Sequence, residues 1–486
     1  MTSQLTQRTL RGLFWSLLER GGSQLIQLAI TVVLARILLP RDFGLIAILN
    51  VFIAVSNRLV DAGFGQALIH QQNATHTDEC SVFYFNIVFS AVLAAALFLA
   101  SPLIADFYDN AVLLPIGRVL SINILVSAFG AVHFTILTKH LDFKTQMNVS
   151  LASLIISGVI GIAAALEGAG VWSLVAQSVS ASVVRTILVW RFHTWRPAWA
   201  LDIHSLRRMF PFGSRLLFSS LLGTVSDNLF ALVIGKVYSA KDLGYFSRAD
   251  QLQRLPIANF SAAVGRITFP AFSSVQDDKP RLKRGVRKAV MALAMISFPM
   301  MIGLAIVAKP LVILLFTDKW LSSVPFLQLM CLSGMLFPLH AANLNVLKAQ
   351  GRSDLFLRLE IIKRVLQALA LMLTYRFGIM AMLYGAVIVS WFGYYINVHY
   401  TRELIGYSFL EQMRDIVPSA VTACLMAVCI YPLHFVIESN QLVLLLIQVV
   451  LGVTLYGVFG KLFASRSFSL ALQILNSRRF AKDGAE

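Results

Sequence analysis

The chain has 486 residues, 57% hydrophobic and 13% charged, with a formal charge of +17 at pH 7 and a mean hydropathy of +0.74. Apolar runs long enough to cross a bilayer recur along its whole length and are apolar almost all round, which excludes a water-soluble globule, whose helices would carry charge along one side. The positive charge does not call for nucleic acid, because cytoplasmic loops of membrane proteins collect Lys and Arg; acidic lipid headgroups or a phosphorylated lipid substrate suit it as partners.

The fold class expected is therefore an all-α polytopic membrane protein. Fourteen spans are predicted, at 15–38, 42–62, 82–104, 113–137, 147–166, 171–190, 212–235, 243–268, 287–309, 323–347, 355–376, 379–400, 415–437 and 441–463. The first run is too long for a signal peptide and has no small-residue cleavage site, so it reads as an uncleaved span. A cytoplasmic N-terminus puts Arg8, Arg11, Lys139, Lys144, Arg191, Arg196, Arg207 and Arg208 inside. It also puts the Lys279–Lys288 cluster and the basic C-terminal tail inside, as the positive-inside rule asks. Four cysteines (Cys80, Cys331, Cys424 and Cys429) are scattered without metal-ligand spacing and read as small hydrophobes.

One stretch recurs. Ala35-Arg36-Ile37-Leu38-Leu39-Pro40-Arg41-Asp42-Phe43-Gly44-Leu45 joins the first two spans, and Gly235-Lys236-Val237-Tyr238-Ser239-Ala240-Lys241-Asp242-Leu243-Gly244-Tyr245 joins spans seven and eight. Gly170-Val171 opens span six as Gly378-Ile379 opens span twelve. This pattern divides the chain into two pseudo-symmetric six-helix lobes, 1–204 and 205–403, lying parallel. A third segment, 404–486, holds two rim helices and the cytoplasmic tail, and an interfacial helix over 401–414 leads into it.

Charged residues are costly in a bilayer and face the interior of a bundle. They concentrate in the first two spans of each half. In span one, Glu19, Arg20, Ser23, Gln24, Gln27 and Thr31 share an arc of about 140°, with snorkelling to headgroups the competing reading for Glu19 and Arg20. In span two, Asn50, Asn57 and Asp61 share a face, and Arg58 stands three residues before Asp61, so the two can pair locally or line a pathway. Span seven aligns Ser219, Ser220, Gly223 and Asp227, the serines suiting close helix packing. Span eight aligns Arg248, Gln251, Asn259 and Arg266, with Asp250 and Arg254 at ion-pair spacing and Pro256 expected to kink the helix. Two arginines on one face suit a phosphate, which guanidinium binds in a fork; salt links to Asp61 or Asp227 are the alternative. Arg358, Glu360, Lys363 and Arg364 open span eleven and read as interfacial.

Three stretches carry a family resemblance. They are Leu34 to Leu45 as quoted; Leu243-Gly244-Tyr245-Phe246-Ser247-Arg248-Ala249 followed by Pro256; and Phe269-Pro270-Ala271-Phe272-Ser273-Ser274-Val275-Gln276-Asp277-Asp278. Over residues 10 to about 460 the chain resembles the Wzx-type flippase branch of the multidrug/oligosaccharidyl-lipid/polysaccharide exporter superfamily, most of all the subgroup tied to colanic acid and succinoglycan export. The resemblance implies two lobes about a central cavity, a bacterial inner-membrane location, and an oligosaccharide joined through pyrophosphate to a polyprenol as substrate. Membrane lipids and other polysaccharide assembly proteins are the further partners implied. Asp250 departs from the aromatic common in the family, so no role for it is borrowed.

The expected mechanism is alternating access. Arg248, Arg266, Arg215 and Arg20 would neutralise the pyrophosphate, and Gln24, Gln27, Asn57 and Asn259 would meet sugars. Asp61, Asp227, Arg58, Asp250 and Arg254 are candidates for coupling or gating. No HExxH, P-loop, GxSxG or Asp-x-Asp motif marks a catalytic, cofactor or metal site. The rivals are an integral-membrane polymerase or ligase, which needs a long outer loop, and a drug or cation antiporter of the same fold, whose cavity favours carboxylates.

Overall fold

The computed structural model describes residues 2–61, 63–71, 73–437, 440–464 and 468–469; at 2–11, 13, 17, 61, 212, 215, 216, 219, 258–267 and 436 it describes the backbone alone. All regular structure among these residues is helical. In chain order the helices are α1 (Thr2–Ile37), α2 (Pro40–Asp61), α3 (Phe64–His70), α4 (His76–Phe107), α5 (Leu113–Lys139), α6 (Phe143–Leu166), α7 (Val171–Phe192), α8 (Ile203–Asp227) and α9 (Leu229–Val237). They continue with α10 (Ala240–Ser273), α11 (Lys279–Ile306), α12 (Ala308–Phe316), α13 (Val324–Gly334), α14 (Phe337–Ala349), α15 (Ser353–Thr374), α16 (Ile379–Ile405), α17 (Phe409–Ile430), α18 (Leu433–Val436) and α19 (Gln441–Phe463).

Among the described residues, eleven helical stretches are long and apolar enough to cross a membrane. Three of the fourteen expected spans fall short of that test. They are the ones in α1, α10 and α15, helical throughout but interrupted by Glu19 and Arg20, by Arg248, Asp250 and Arg254, and by Arg358 to Arg364. Residues 401–414 are not a separate interfacial helix. Gly406, in the left-handed region at φ 68°, ends α16, and a capping box between Ser408 and Glu411 starts α17, which runs on into the bundle. Gly170 (φ 57°) and Gly378 (φ 101°) take positive φ just before α7 and α16, so the echoed Gly-Val and Gly-Ile pairs mark two helix starts.

The chain forms two compact units, Met1–Gly244 and Tyr245–Glu486. In the first, α1 packs along α6, and α4, α5 and α7 form a tight set. Every fourth residue of α7 reaches α5: Asn123 Nδ2 donates to Ser178 Oγ (3.2 Å), Ser127 Oγ to Ser182 Oγ (3.4 Å), Thr186 Oγ1 to the Val126 carbonyl (3.1 Å), and Trp190 Nε1 to the Phe129 carbonyl (2.9 Å). Between apolar helices such bonds add about 0.6 kcal/mol each on average, and they set the register. The carboxylate of Asp78, buried at the start of α4, accepts from Ser205 Oγ, from Arg208 (3.1 Å) and from the Thr75 backbone (2.8 Å). The start of α8 is thereby tied to α4, and α8 and α9 also pack on α2. These contacts place both helices in the first unit, whereas the division expected from the sequence echo falls at 204/205.

In the second unit α17 packs along α11, and buried polar groups bind it there. Arg287 Nε and an Nη each reach Asp415 at 2.7 Å, and Tyr407 OH donates to the same carboxylate at 2.7 Å. Gln412 and Asn343 exchange amide hydrogen bonds (3.0 and 3.3 Å), and Tyr394 OH donates to Gln412 at 2.5 Å. From Leu442 to Val453, by contrast, every exposed residue of α19 is apolar, which suits lipid.

Candidate functional site

α2 is built the other way round from α19. Its buried positions are apolar apart from Ser56, and include Phe43, Leu45, Ile48, Leu49, Val51, Ile53 and Val60. Between Asp42 and Val60 the exposed residues are Asn50, Asn57 and Arg58. Asn50 and Asn57 are seven residues apart and so share a face. An amide held against hydrocarbon loses its hydrogen bonds to water at a cost of about 2–7 kcal/mol, and a charged guanidinium costs more. A membrane helix whose open face is wholly polar therefore lines water or a polar ligand. The Asp61 side chain, expected either to pair with Arg58 or to line a pathway, lies outside the described side chains.

The seventh span is not one helix. α8 stops at Asp227, Asn228 sits in a turn, and α9 resumes at Leu229. Side-chain hydrogen bonds to backbone carbonyls cluster around the break. Asn228 Nδ2 donates to the Thr224 carbonyl at 2.8 Å, Thr224 Oγ1 to the Ser220 carbonyl at 2.9 Å, and Ser226 Oγ to the Leu222 carbonyl at 2.8 Å. Hydroxyls bonded back to carbonyls bend helices, and broken helices within a bilayer survive where they line a cavity. Asp227 is exposed at the C-terminal end of α8. A carboxylate there opposes the helix dipole by about 0.3–1 kcal/mol. The Ser219–Asn228 run held the signal for this break, in a Gly and four hydroxyls ending in Asp-Asn.

On α1 the exposed stripe runs through Phe14, Leu18, Gly21, Leu25, Ala29 and Val33, with Arg20 and Arg36 also exposed. Gln24 and Gln27 are half-buried and Thr31 is buried. Glu19 is taken up by α6: Ser150 Oγ donates to it at 2.8 Å.

On α10, Arg254 Nε donates to Asp250 Oδ1 at 2.8 Å, the ion pair their spacing suggests. Arg248 and Gln251 are half-buried. Gln253 is buried and donates to the Met330 carbonyl at 3.4 Å. α10 runs through Pro256 and Pro270 without interruption; Pro256 has no N–H to offer the Leu252 carbonyl, one turn back. The side chains of Arg215, Asn259 and Arg266 lie outside those described. Of the residues singled out from sequence, the structure brings Asp250 and Arg254 into contact. It places Asn57, Arg58 and Asp227 in the first unit and Arg248 in the second.

Sequence reading missed a cluster in the second unit. Lys363 pairs with Glu360 on α15, its chain running against Gly393, which also lies near His340; His340 Nδ1 is 2.8 Å from Asn397 Nδ2. The i,i+3 spacing of Glu360 and Lys363 was visible; their inward placement was not. Among the described residues no three His, Cys, Asp or Glu side chains gather to hold a metal ion.

The profile of the family described as "Polysaccharide biosynthesis protein" matches residues 33–325. The chain belongs to that family. Its relatives include the teichuronic acid biosynthesis protein TuaB of Bacillus subtilis (strain 168), 28% identical over 354 residues, covering 72% of this chain and 73% of TuaB. The lipopolysaccharide biosynthesis protein WzxC of Escherichia coli (strain K12) is 28% identical over 371 residues, 74% of each chain. The succinoglycan biosynthesis transport protein ExoT of Rhizobium meliloti (strain 1021) is 26% identical over 340 residues, 70% of this chain and 69% of ExoT. The fold is that of the lipid II flippase MurJ in its inward closed conformation, with a TM-score of 0.74 at 14% identity over 93% of this chain and 99% of MurJ. An inward-facing multidrug resistance MATE family transporter gives 0.62 at 15% identity, over 79% and 95%. The family is thus the Wzx-type exporter branch expected from the three sequence stretches, on an all-α polytopic fold.

Proposed function

We propose that this protein is a flippase that carries polyprenyl-pyrophosphate-linked oligosaccharide repeat units across the bacterial inner membrane for surface polysaccharide assembly. It is a transporter and not an enzyme. The observation that carries the reading is the open polar face of α2, Asn50, Asn57 and Arg58, in a polysaccharide biosynthesis chain with a flippase's fold. Sugars need amide and hydroxyl partners, and a diphosphate needs guanidinium. On this reading Arg20, Arg215, Arg248 and Arg266 meet the pyrophosphate, and Gln24, Gln27, Asn57 and Asn259 meet the glycan. Asp61, Asp227 and Arg58 serve coupling or gating, while Asp250 and Arg254 hold each other.

The finer architecture belongs to the same proposal. α1, α10 and α15 complete fourteen spans, arranged as two six-helix lobes, 1–204 and 205–403, with 404–486 outside the repeat and both termini cytoplasmic. Their charged interruptions support this, since charge is tolerated where a span borders a wet interior. Deletion of the protein should remove surface polymer and leave lipid-linked repeat units on the cytoplasmic leaflet. Polymer made at the normal rate without it would end the proposal.

A further inference from the structure

The two echoed loops meet. α2 starts at Pro40 and α10 at Ala240, each with an aspartate in its first turn. Asp42 Oδ2 accepts from the Leu39 backbone N–H (2.9 Å); Ser239 Oγ donates to Asp242 Oδ2 (2.6 Å) and accepts from the Asp242 backbone N–H (3.0 Å). A Cβ placed on Gly44 would lie 1.6 Å from the Ala240 carbonyl oxygen, and one on Gly244 would lie 1.9 Å from the Pro40 carbonyl oxygen. The contact is reciprocal: the glycine of each repeat seats on the first helical residue of the other, as in an isologous interface. Neither glycine can carry even a methyl group while the contact is closed.

A second seam closes the far end of α2. Gly63, at φ 71°, lies against Gly213 of α8, where a Cβ would stand 2.3 Å from the Gly213 carbonyl oxygen. Between the two seams lies the polar face of α2, Asn50 and Asn57. Contacts from a Cα to a carbonyl oxygen are individually weak and need no side chain to rearrange, so such seams close tightly and part readily.

We propose that Gly44 with Gly244, and Gly63 with Gly213, are the outer and inner gates of the carrier, both shut in this structure. Alternating access then consists of parting one seam at a time, and glycine is required because only its absent side chain lets backbone reach backbone. The inference rests on the export reading for its physiological meaning and on the positive-inside orientation for which seam is outer. The seams themselves rest on geometry alone.

The test is directional. A reporter cysteine at Asn50 (N50C), with Cys424 and Cys429 replaced by Ser, is exposed to a membrane-impermeant maleimide on whole cells and on inverted vesicles. Gly44→Ala, Gly44→Val and Gly244→Ala should raise labelling from outside about tenfold and, introduced into the chain that keeps Asn50, lower polymer output by at least as much. Gly63→Asn, which tolerates positive φ but adds a Cβ, should raise labelling from the cytoplasmic side instead. Gly285→Ala, with nothing within 4 Å of its added methyl, should change neither. Unchanged labelling in the outer-seam variants, or labelling raised from both sides alike, overturns the gates. Directional labelling in a protein whose deletion leaves surface polymer intact would sink the export reading and keep the gates. Should the substituted proteins fail to accumulate, spin labels at Arg41 and Lys241 in a glycine-intact chain decide. A short and a long distance population supports the gate, and one invariant short distance makes the contact a permanent seam.

Discussion

Removing Asp415 tests whether buried polar pairing, rather than apolar packing alone, fastens α17 to the second unit. Its side chain is 6% exposed and accepts three hydrogen bonds of 2.7 Å, two from Arg287 and one from Tyr407. Asp415→Ala strands both donors. Breaking a buried pair by deleting one partner costs about 3–5 kcal/mol. The Arg287 side chain is 37% exposed and can recover water, which lowers its share to about 2 kcal/mol. Tyr407 is fully buried, and its orphaned hydroxyl adds about 1–2 kcal/mol. The expected total is about 3–4 kcal/mol, read as a fall in the unfolding midpoint of detergent-purified protein. The triple variant Arg287→Met, Asp415→Leu, Tyr407→Phe should recover most of it, since apolar groups of similar volume replace buried ions at little cost. A loss below about 1 kcal/mol for the single variant, or simple additivity across the triple, would refute the argument that pairing holds the helix.

Further outcomes follow from other contacts. Asn228→Ala removes the amide that satisfies the Thr224 carbonyl; it should cost about 1 kcal/mol in stability but far more in export, measured as polymer output per protein inserted. Arg248→Ala should insert normally and abolish export, and normal export would remove Arg248 from the substrate site. Burial lowers the pKa of His193, which lies beyond the end of α7, against the pull of Asp142 and with help from His140 and Arg196. Neutral His193 is therefore the form the fold prefers. Its contribution is present above its unfolded value, near 6.5, and is lost as pH falls through the lower folded value. Between pH 7.5 and 5.5 the unfolding midpoint of the native protein should fall further than that of His193→Gln, and equal falls would show that His193 does not titrate with folding.

Much of the architecture was legible because hydrocarbon imposes one rule on every span. Backbone groups must bond within the helix, so length and apolarity alone locate α4 to α7, α11, α16 and α19. The echo between two helix starts was legible for a different reason: a helix start against another backbone demands small residues and a capping acid at fixed offsets, and those survive as letters at 40–44 and 240–244. What local pattern could not give is the partner of each polar group. Glu360 and Lys363 looked like headgroup contacts, and their inward placement is set by Gly393 on α16, thirty residues away. Arg287 looked like one more cytoplasmic cation in a basic loop, until α17 supplied Asp415 from the far end of the unit.

The break at Asn228 lies between these cases. Its hydroxyls and amide were visible, but the apolar count across 212–235 outvoted them, since a span average cannot register a single interrupted turn. The same averaging excluded α1, α10 and α15 from the plainly membrane-spanning helices. In a carrier these failures have one cause. The stretches that must meet a charged, hydrated cargo are those in which evolution gave up hydrophobicity or helical continuity, so the residues that most weaken a span's membrane signature are the first place to look for its function.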